Sequence, residues 1–185
     1  VFNGGGYTIW GRNSDIIQLS NGTIILVYAN KTGGYIFDAS SGQNIAAVRL
    51  FIKSSNDNGA TWTREKRLTA DTGYSAYSRL VFWELEPSVI EIDGQVRFAW
   101  RTEGLATAPP VAPRYYDIYT RSYSGAAGWS AIDRIVSAPS PHFIHSPVIR
   151  SEPTTVFYVN ATDGRVHSYV RTLMLPLTQT LQTLQ

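Results

Sequence analysis

Cysteine is absent from this chain. Its absence excludes disulfides, thiol catalysis and cysteine-ligated zinc, and it argues against a small secreted domain held together by staples. Histidine is scarce. His142, His145 and His167 are too few and too scattered for a metal site, so the expectation is no metal and no cofactor. Charge is sparse as well: Asp, Glu, Lys and Arg make up 16% of the chain, below the rough quarter usual in soluble domains. The net charge of +2 implies no nucleic-acid partner. No apolar run approaches the roughly 18 residues that a membrane span needs. The chain starts at Val1 and shows no signal peptide, which leads us to expect a processed chain or a portion of a longer one. Helical periodicity is nearly missing.

What the sequence does contain is short apolar or alternating runs broken by Gly, Asn, Asp and Pro, a strand pattern. It predicts strands near 15–19, 23–28, 46–53, 88–92, 95–101, 117–123, 146–150, 155–160 and 165–171. Between them stand Asn21-Gly22, Asn58-Gly59, Asp93-Gly94 and Asp163-Gly164, the residue pairs of tight hairpins. The Leu/Thr/Gln-rich tail 175–185 fits a strand, a short helix or an oligomer contact equally. A repeat underlies the pattern. The hairpin 16–28 returns as 89–100, with Gly22 and Gly94 72 residues apart, and Gly164 follows 70 residues later. The Ser55…Trp62 frame returns as Ser122…Trp129. A unit of four short strands recurring at roughly 70 residues reads as a propeller blade. The rival architecture is a sandwich with unrelated hairpins.

One stretch is more specific. Ser55-Asn56-Asp57-Asn58-Gly59-Ala60-Thr61-Trp62 carries Ser-x-Asp-x-Gly-x-Thr-Trp, and in this the chain resembles the sialidase (neuraminidase), or BNR-repeat Asp-box, superfamily of β-propellers. The resemblance implies an all-β fold in which the Asp ties a hairpin turn and the Trp packs between blades. It covers residues 10–135 well and the remainder loosely. At this repeat length 185 residues make two to three blades, approximately 10–70, 84–135 and a partial 143–185. Propellers close with about four to eight, so an incomplete one is expected, finished by further chain or by other subunits, unless insertions disguise the unit.

The same resemblance implies site residues. Sialidases hold a sugar carboxylate with arginines, whose planar fork pairs bidentately. Arg12 stands just before the first hairpin, although the family's Ile-Pro after it is lost. Glu86, followed by Glu91, Gly94 and Arg101, resembles the family's base-and-arginine spacing. Glu86 would activate a tyrosine nucleophile and Arg101 would bind the carboxylate. Asp38, read as lying on a loop, would be the general acid. Sialidases are exceptions to the two-carboxylate scheme in using Tyr. Tyr77, in Tyr74-Ser75-Ala76-Tyr77-Ser78, has the motif but lies upstream of Glu86, against the family's order. Arg150 and Arg171 are candidates for the third arginine. The implied function is a sialidase-like exo-glycosidase, or part of one, acting on terminal anionic sugars of glycoconjugates, extracellular or at a cell surface. Two alternatives stand beside it. One is a non-catalytic glycan-binding or structural propeller of cell-surface or phage-fibre type, in which the surplus of aromatics would stack on sugars. The other is a neutral-sugar hydrolase on the same fold.

Overall fold

The computed structural model describes residues 13–38, 41–69, 80–105, 114–125, 127–139, 144–150, 155–160, 162 and 165–170. The described chain is all-β, as the sequence predicts, and none of it is helical. Twelve strands follow one another: β1 (Ser14–Gln18), β2 (Ile24–Asp38), β3 (Gln43–Ser55), β4 (Lys66–Arg67), β5 (Leu80–Ile92), β6 (Gln95–Leu105), β7 (Arg114–Ser124), β8 (Gly128–Trp129), β9 (Asp133–Pro139), β10 (Ile144–Arg150), β11 (Thr155–Asn160) and β12 (Arg165–Val170).

They form three antiparallel meanders. The first is β1-β2-β3-β4, the second β5-β6-β7 with β8 and β9 both on β7, the third β10-β11-β12. A single parallel bridge, Val48 to Trp83, joins the first two into one formal sheet. The described strands close no sheet into a ring. The second meander is the middle layer. Phe98 and Trp100 pack with Val27 and Leu50 of the first meander. From the other face Ala99, Tyr116 and Ile118 pack with Ile144, Ile149 and Val156 of the third. Both faces of β6 are therefore covered, and its described side chains from Val96 to Leu105 are all buried.

Three features depart from the expectations. β2 runs on to Asp38 through Gly33-Gly34, pairing with β3 as far as Asp38–Gln43. Most side chains of this arm face solvent, so no apolar alternation marks it. β5 begins at Leu80, well before the expected 88. Its first half is buried, with polar residues among the apolar ones, which hides the strand period. Last, β4, β8 and β9 are not predicted by the sequence pattern, because two of them have two residues each and β9 carries only a short apolar pair, Ile135-Val136.

The Ser55–Trp62 turn is tied as its composition suggests. The Ser55 hydroxyl donates to Asp57 Oδ1 at 2.7 Å and accepts from the Gly59 N–H at 2.9 Å. The Asp57 carboxylate accepts from both the backbone N–H and the hydroxyl of Thr61. Asn58 and Gly59 take positive φ, 56° and 88°, which glycine adopts freely and asparagine tolerates. Trp62 corrects an expectation. It is 38% exposed and lies on its own turn, its indole N–H donating to the Gly59 carbonyl, rather than between layers. The counterpart Trp129 is more deeply set, against Phe98 and Tyr123 and beneath the Arg121 guanidinium at 4.6 Å. The two turns share a signature. Thr63 N–H donates to the Ser54 carbonyl while Ser54 N–H donates to the Thr63 hydroxyl, and Ser130 and Ser122 repeat both bonds with a loop one residue shorter.

Side chains do most of the joining between the first two meanders. Arg49, 1% exposed, donates to the carbonyls of Val48 and Phe82 through Nη1 and of Val81 through Nη2. Glu84, wholly buried, accepts from Leu50 N–H at 2.9 Å, from the Thr69 hydroxyl and from Arg67, and sits 3.8 Å from Arg49. Arg121 reaches the Leu68 carbonyl at 2.7 Å, and the Trp83 indole reaches Ala46.

Two outcomes follow. Removing one member of a buried pair strands the other charge, so Arg49→Ala should cost about 3–5 kcal/mol, read as a lowered urea midpoint. The second concerns Asp57. The Thr61 hydroxyl first, then the Thr61 amide and the Ser55 hydroxyl, hold its carboxyl down at about 2. A carboxyl lowered on folding stabilises above its unfolded value, about 4, and loses that contribution as pH falls toward 2. The stability gap between wild type and Asp57→Asn should be constant above about pH 4 and close below it, in urea titrations run at stepped pH.

Candidate functional site

The site grows from an irregularity in β5. The β5–β6 register breaks between Leu85 and Ser88, so Glu86 and Pro87 lie in a bulge. Proline fits there because it has no N–H to give the ladder. Glu86 takes φ 53°, a left-handed conformation uncommon for a non-glycine residue and strained before proline. Neighbouring layers brace the irregular stretch. Asp15 of β1 accepts from Val89 N–H at 2.9 Å, and the Ser88 hydroxyl accepts from Ile149 N–H of β10 at 3.3 Å. Backbone strain of this kind persists where its surroundings over-determine it, and it gathers at functional sites.

The bulge also parts two acids. Strict alternation would point Glu84 and Glu86 to one face. Instead Glu84 joins the seam to the first meander, and Glu86 turns to Arg101 of β6, Nε to Oε2 3.4 Å, both side chains nearly inaccessible. From Arg101 the contacts continue. Its Nη1 lies 3.6 Å from Glu103 Oε2. Glu103 Oε1 accepts from Arg114 Nη1 at 3.1 Å. Arg114 Nη2 donates to Asp38 Oδ2 at 2.7 Å. The Ser41 hydroxyl also donates to that oxygen, and the Asp38 carbonyl accepts from Ser41 and Gly42 N–H, closing the β2–β3 turn. Carboxylates and guanidiniums thus alternate along Glu86, Arg101, Glu103, Arg114 and Asp38, drawn from β5, β6, β7 and the end of β2. The Tyr116 ring stands 5.9 Å from the Arg101 guanidinium.

Electrostatics follow from the burial. Desolvation raises the Glu103 carboxyl above its ordinary value, even though Arg101 and Arg114 pull it down. Tyr116 is raised by burial and then by the Glu103 charge. Burial alone would lower Arg114, but its bond to Asp38 and the field of Glu103 outweigh that and raise it.

Three sequence-predicted residues, Asp38, Glu86 and Arg101, therefore share one connected cluster. Two placements differ from expectation: Asp38 ends a strand instead of lying on a loop, and Glu86 sits within β5 instead of before it. Arg150 lies exposed at the end of β10, opposite Thr155. Arg12, Tyr77, Arg171 and the tail 175–185 fall outside the described residues. Glu103 and Arg114, which complete the cluster, were missed. Glu103 does stand two residues beyond Arg101, on the same strand face, which is a usable signal. Arg114 has none, since only the β6–β7 pairing of Leu105 with Arg114 brings it near. No group of three or more metal-ligating side chains occurs among the described residues.

Arg114→Ala would take from Asp38 and Glu103 the cation that both contact, leaving Glu103 with Arg101 at 3.6 Å. The expected loss is about 2–4 kcal/mol near neutral pH, toward the lower end for a partly exposed arginine. It should shrink on acidification as those carboxyls take up protons, which urea midpoints at pH 7 and pH 4 would show.

No family model and no curated protein matches the chain. Among solved structures, one similar chain is the Trypanosoma rangeli sialidase in complex with the inhibitor DANA, with a TM-score of 0.42 and 14% identity. The match covers 85% of this chain and 28% of that one, so this chain spans little more than a quarter of its neighbour's length. At that score the likeness establishes no common fold.

Proposed function

We propose that the cluster around Glu86 and Arg101 belongs to the sugar-binding site of a sialidase-like exo-glycosidase, the three meanders being part of a β-propeller that more chain or further copies complete. The observation that carries this reading is convergence. Asp38, Glu86 and Arg101 were singled out by the resemblance; Glu86 and Arg101 lie on neighbouring strands of one hairpin, and Asp38, from the first meander, joins them in one cluster through Arg114 and Glu103. In this reading Arg101, with Arg12, holds the carboxylate of a terminal anionic sugar. Asp38 is the acid and Glu86 the base toward Tyr77. Glu86 suits the part by its proximity to Arg101 and its strained backbone, which holds the carboxylate in one place. The site would be extracellular or at a cell surface, where sialoglycoconjugates are met.

A second reading rests on charge. Three carboxylates against two guanidiniums leave the described cluster with one net negative charge when all are ionised. That favours a neutral sugar, taken either by a hydrolase or by a non-catalytic binding propeller.

An aryl sialoside separates the readings. The first expects turnover by the wild type, a loss of about 100-fold or more in Glu86→Gln, and a raised KM in Arg101→Lys, whose point charge cannot form the bidentate pair. Absence of wild-type turnover, or turnover indifferent to Glu86→Gln, overturns it. Binding without hydrolysis supports the second.

A further inference from the structure

Within the cluster the two guanidiniums are held very differently. Arg114 is gripped at 2.7 and 3.1 Å by Asp38 and Glu103. Arg101 has looser contacts, 3.4 Å to Glu86 and 3.6 Å to Glu103, and its buried Nε makes no hydrogen bond. A guanidinium offers five donors in a planar fork, and a bidentate carboxylate would use two of them at shorter range. Arg101 is therefore the cation with hydrogen-bonding capacity left to give. Glu103, with both oxygens turned to the two arginines, is with Glu86 an internal anion that an arriving carboxylate must compete with, and the one that faces Nη1 of the Arg101 fork.

Resting on the reading of this cluster as the sugar site, we propose that Glu103 is a specificity-determining residue: it holds Arg101 in reserve, an arriving sugar carboxylate takes Arg101 over from it, and its negative charge sets how strongly the site prefers anionic to neutral sugars. The positions of the groups support this. Glu103 lies between the two cations and is buried, so little water screens its repulsion of a second carboxylate. Arg114, bonded to Asp38, keeps its place when Glu103 is relieved of Arg101. Among the described residues Glu86 and Tyr116 are the other titratable groups at Arg101; a Glu103 variant leaves Glu86 in place and removes from Tyr116 the charge that helps to raise it.

The test compares methyl α-sialoside with its methyl ester, which has the same sugar without the negative charge, by calorimetric titration of wild type and Glu103→Gln. Glutamine keeps the side chain's shape and removes one charge. The expected result is about tenfold or more tighter binding of the carboxylate form by Glu103→Gln, with the ester little changed. An equal change for both ligands, or weaker binding of the carboxylate form, overturns the role of Glu103 and leaves the site assignment standing. If neither protein binds either ligand, the site assignment falls and the inference with it. A measurement on the wild type covers the case in which the variant does not fold. On adding the sialoside the 15N resonance of Arg101 Nε should shift while that of Arg114 Nε holds. A shift at Arg114 alone, or at neither, overturns the proposal.

Discussion

One buried carboxylate and one buried guanidinium fix how this molecule's first two layers meet, within the apolar interface that they share. The backbone supplies a single bridge there, Val48 to Trp83. Arg49 spends its fork on the carbonyls of Val48, Phe82 and Val81, and Glu84 accepts the amide of Leu50 across the same seam. Each group thus does the work of a missing ladder, β3 to β5, with side-chain atoms in place of backbone ones. Charges so far from water cost several kcal/mol each unless their hydrogen bonds are met, and here backbone carbonyls and an amide meet them. Such a seam adds little net stability but tolerates few alternatives. It sets the depth at which the second meander lies on the first, and hence how near the end of β2 comes to β7.

That placement is what makes the candidate site. Asp38 is carried on a long arm of β2 and β3, and it meets Arg114 only because the layers are in that register. The site repeats the logic of the seam, with carboxylates and guanidiniums alternating in a buried setting, but with one difference. At the seam Arg49 has three short bonds to carbonyls. In the site Arg101 is held at longer range and its Nε is left without a hydrogen bond. A structural arginine and one with capacity left for a ligand are distinguished by the length of their contacts rather than by burial, which is nearly the same for both.

The bulge at Glu86-Pro87 links the two. Without it Glu84 and Glu86 would share a face and a set of partners. With it, one acid serves the seam and the next serves the site, two residues apart on the same strand. The cost is a left-handed glutamate, supported by Asp15 on one side and Ile149 on the other. The middle layer is thereby tied to both neighbours at the point where its backbone is least regular. This favours a rigid site over one that must assemble when ligand arrives.

The sequence alone determined what depends on near neighbours along the chain. It showed an all-β fold, most of the strands, the tied turn at Ser55–Thr61 and the glycine-marked hairpins, because these follow from alternation and from side chains bonding to backbone a few residues away. By resemblance it also picked out Asp38, Glu86 and Arg101. Only the tertiary structure decided the rest. The resemblance implied that Trp62 packs between blades, yet its turn lies at the surface and the ring rests on Gly59. Glu84 and Glu86 look alike in sequence, and a bulge fixed by contacts from two other layers sends them apart. Glu103 and Arg114 joined the cluster through the pairing of β6 with β7 and the reach of the β2 arm. No local pattern encodes these outcomes, because they depend on which layers meet and at what depth, and that is set by packing between segments dozens of residues apart.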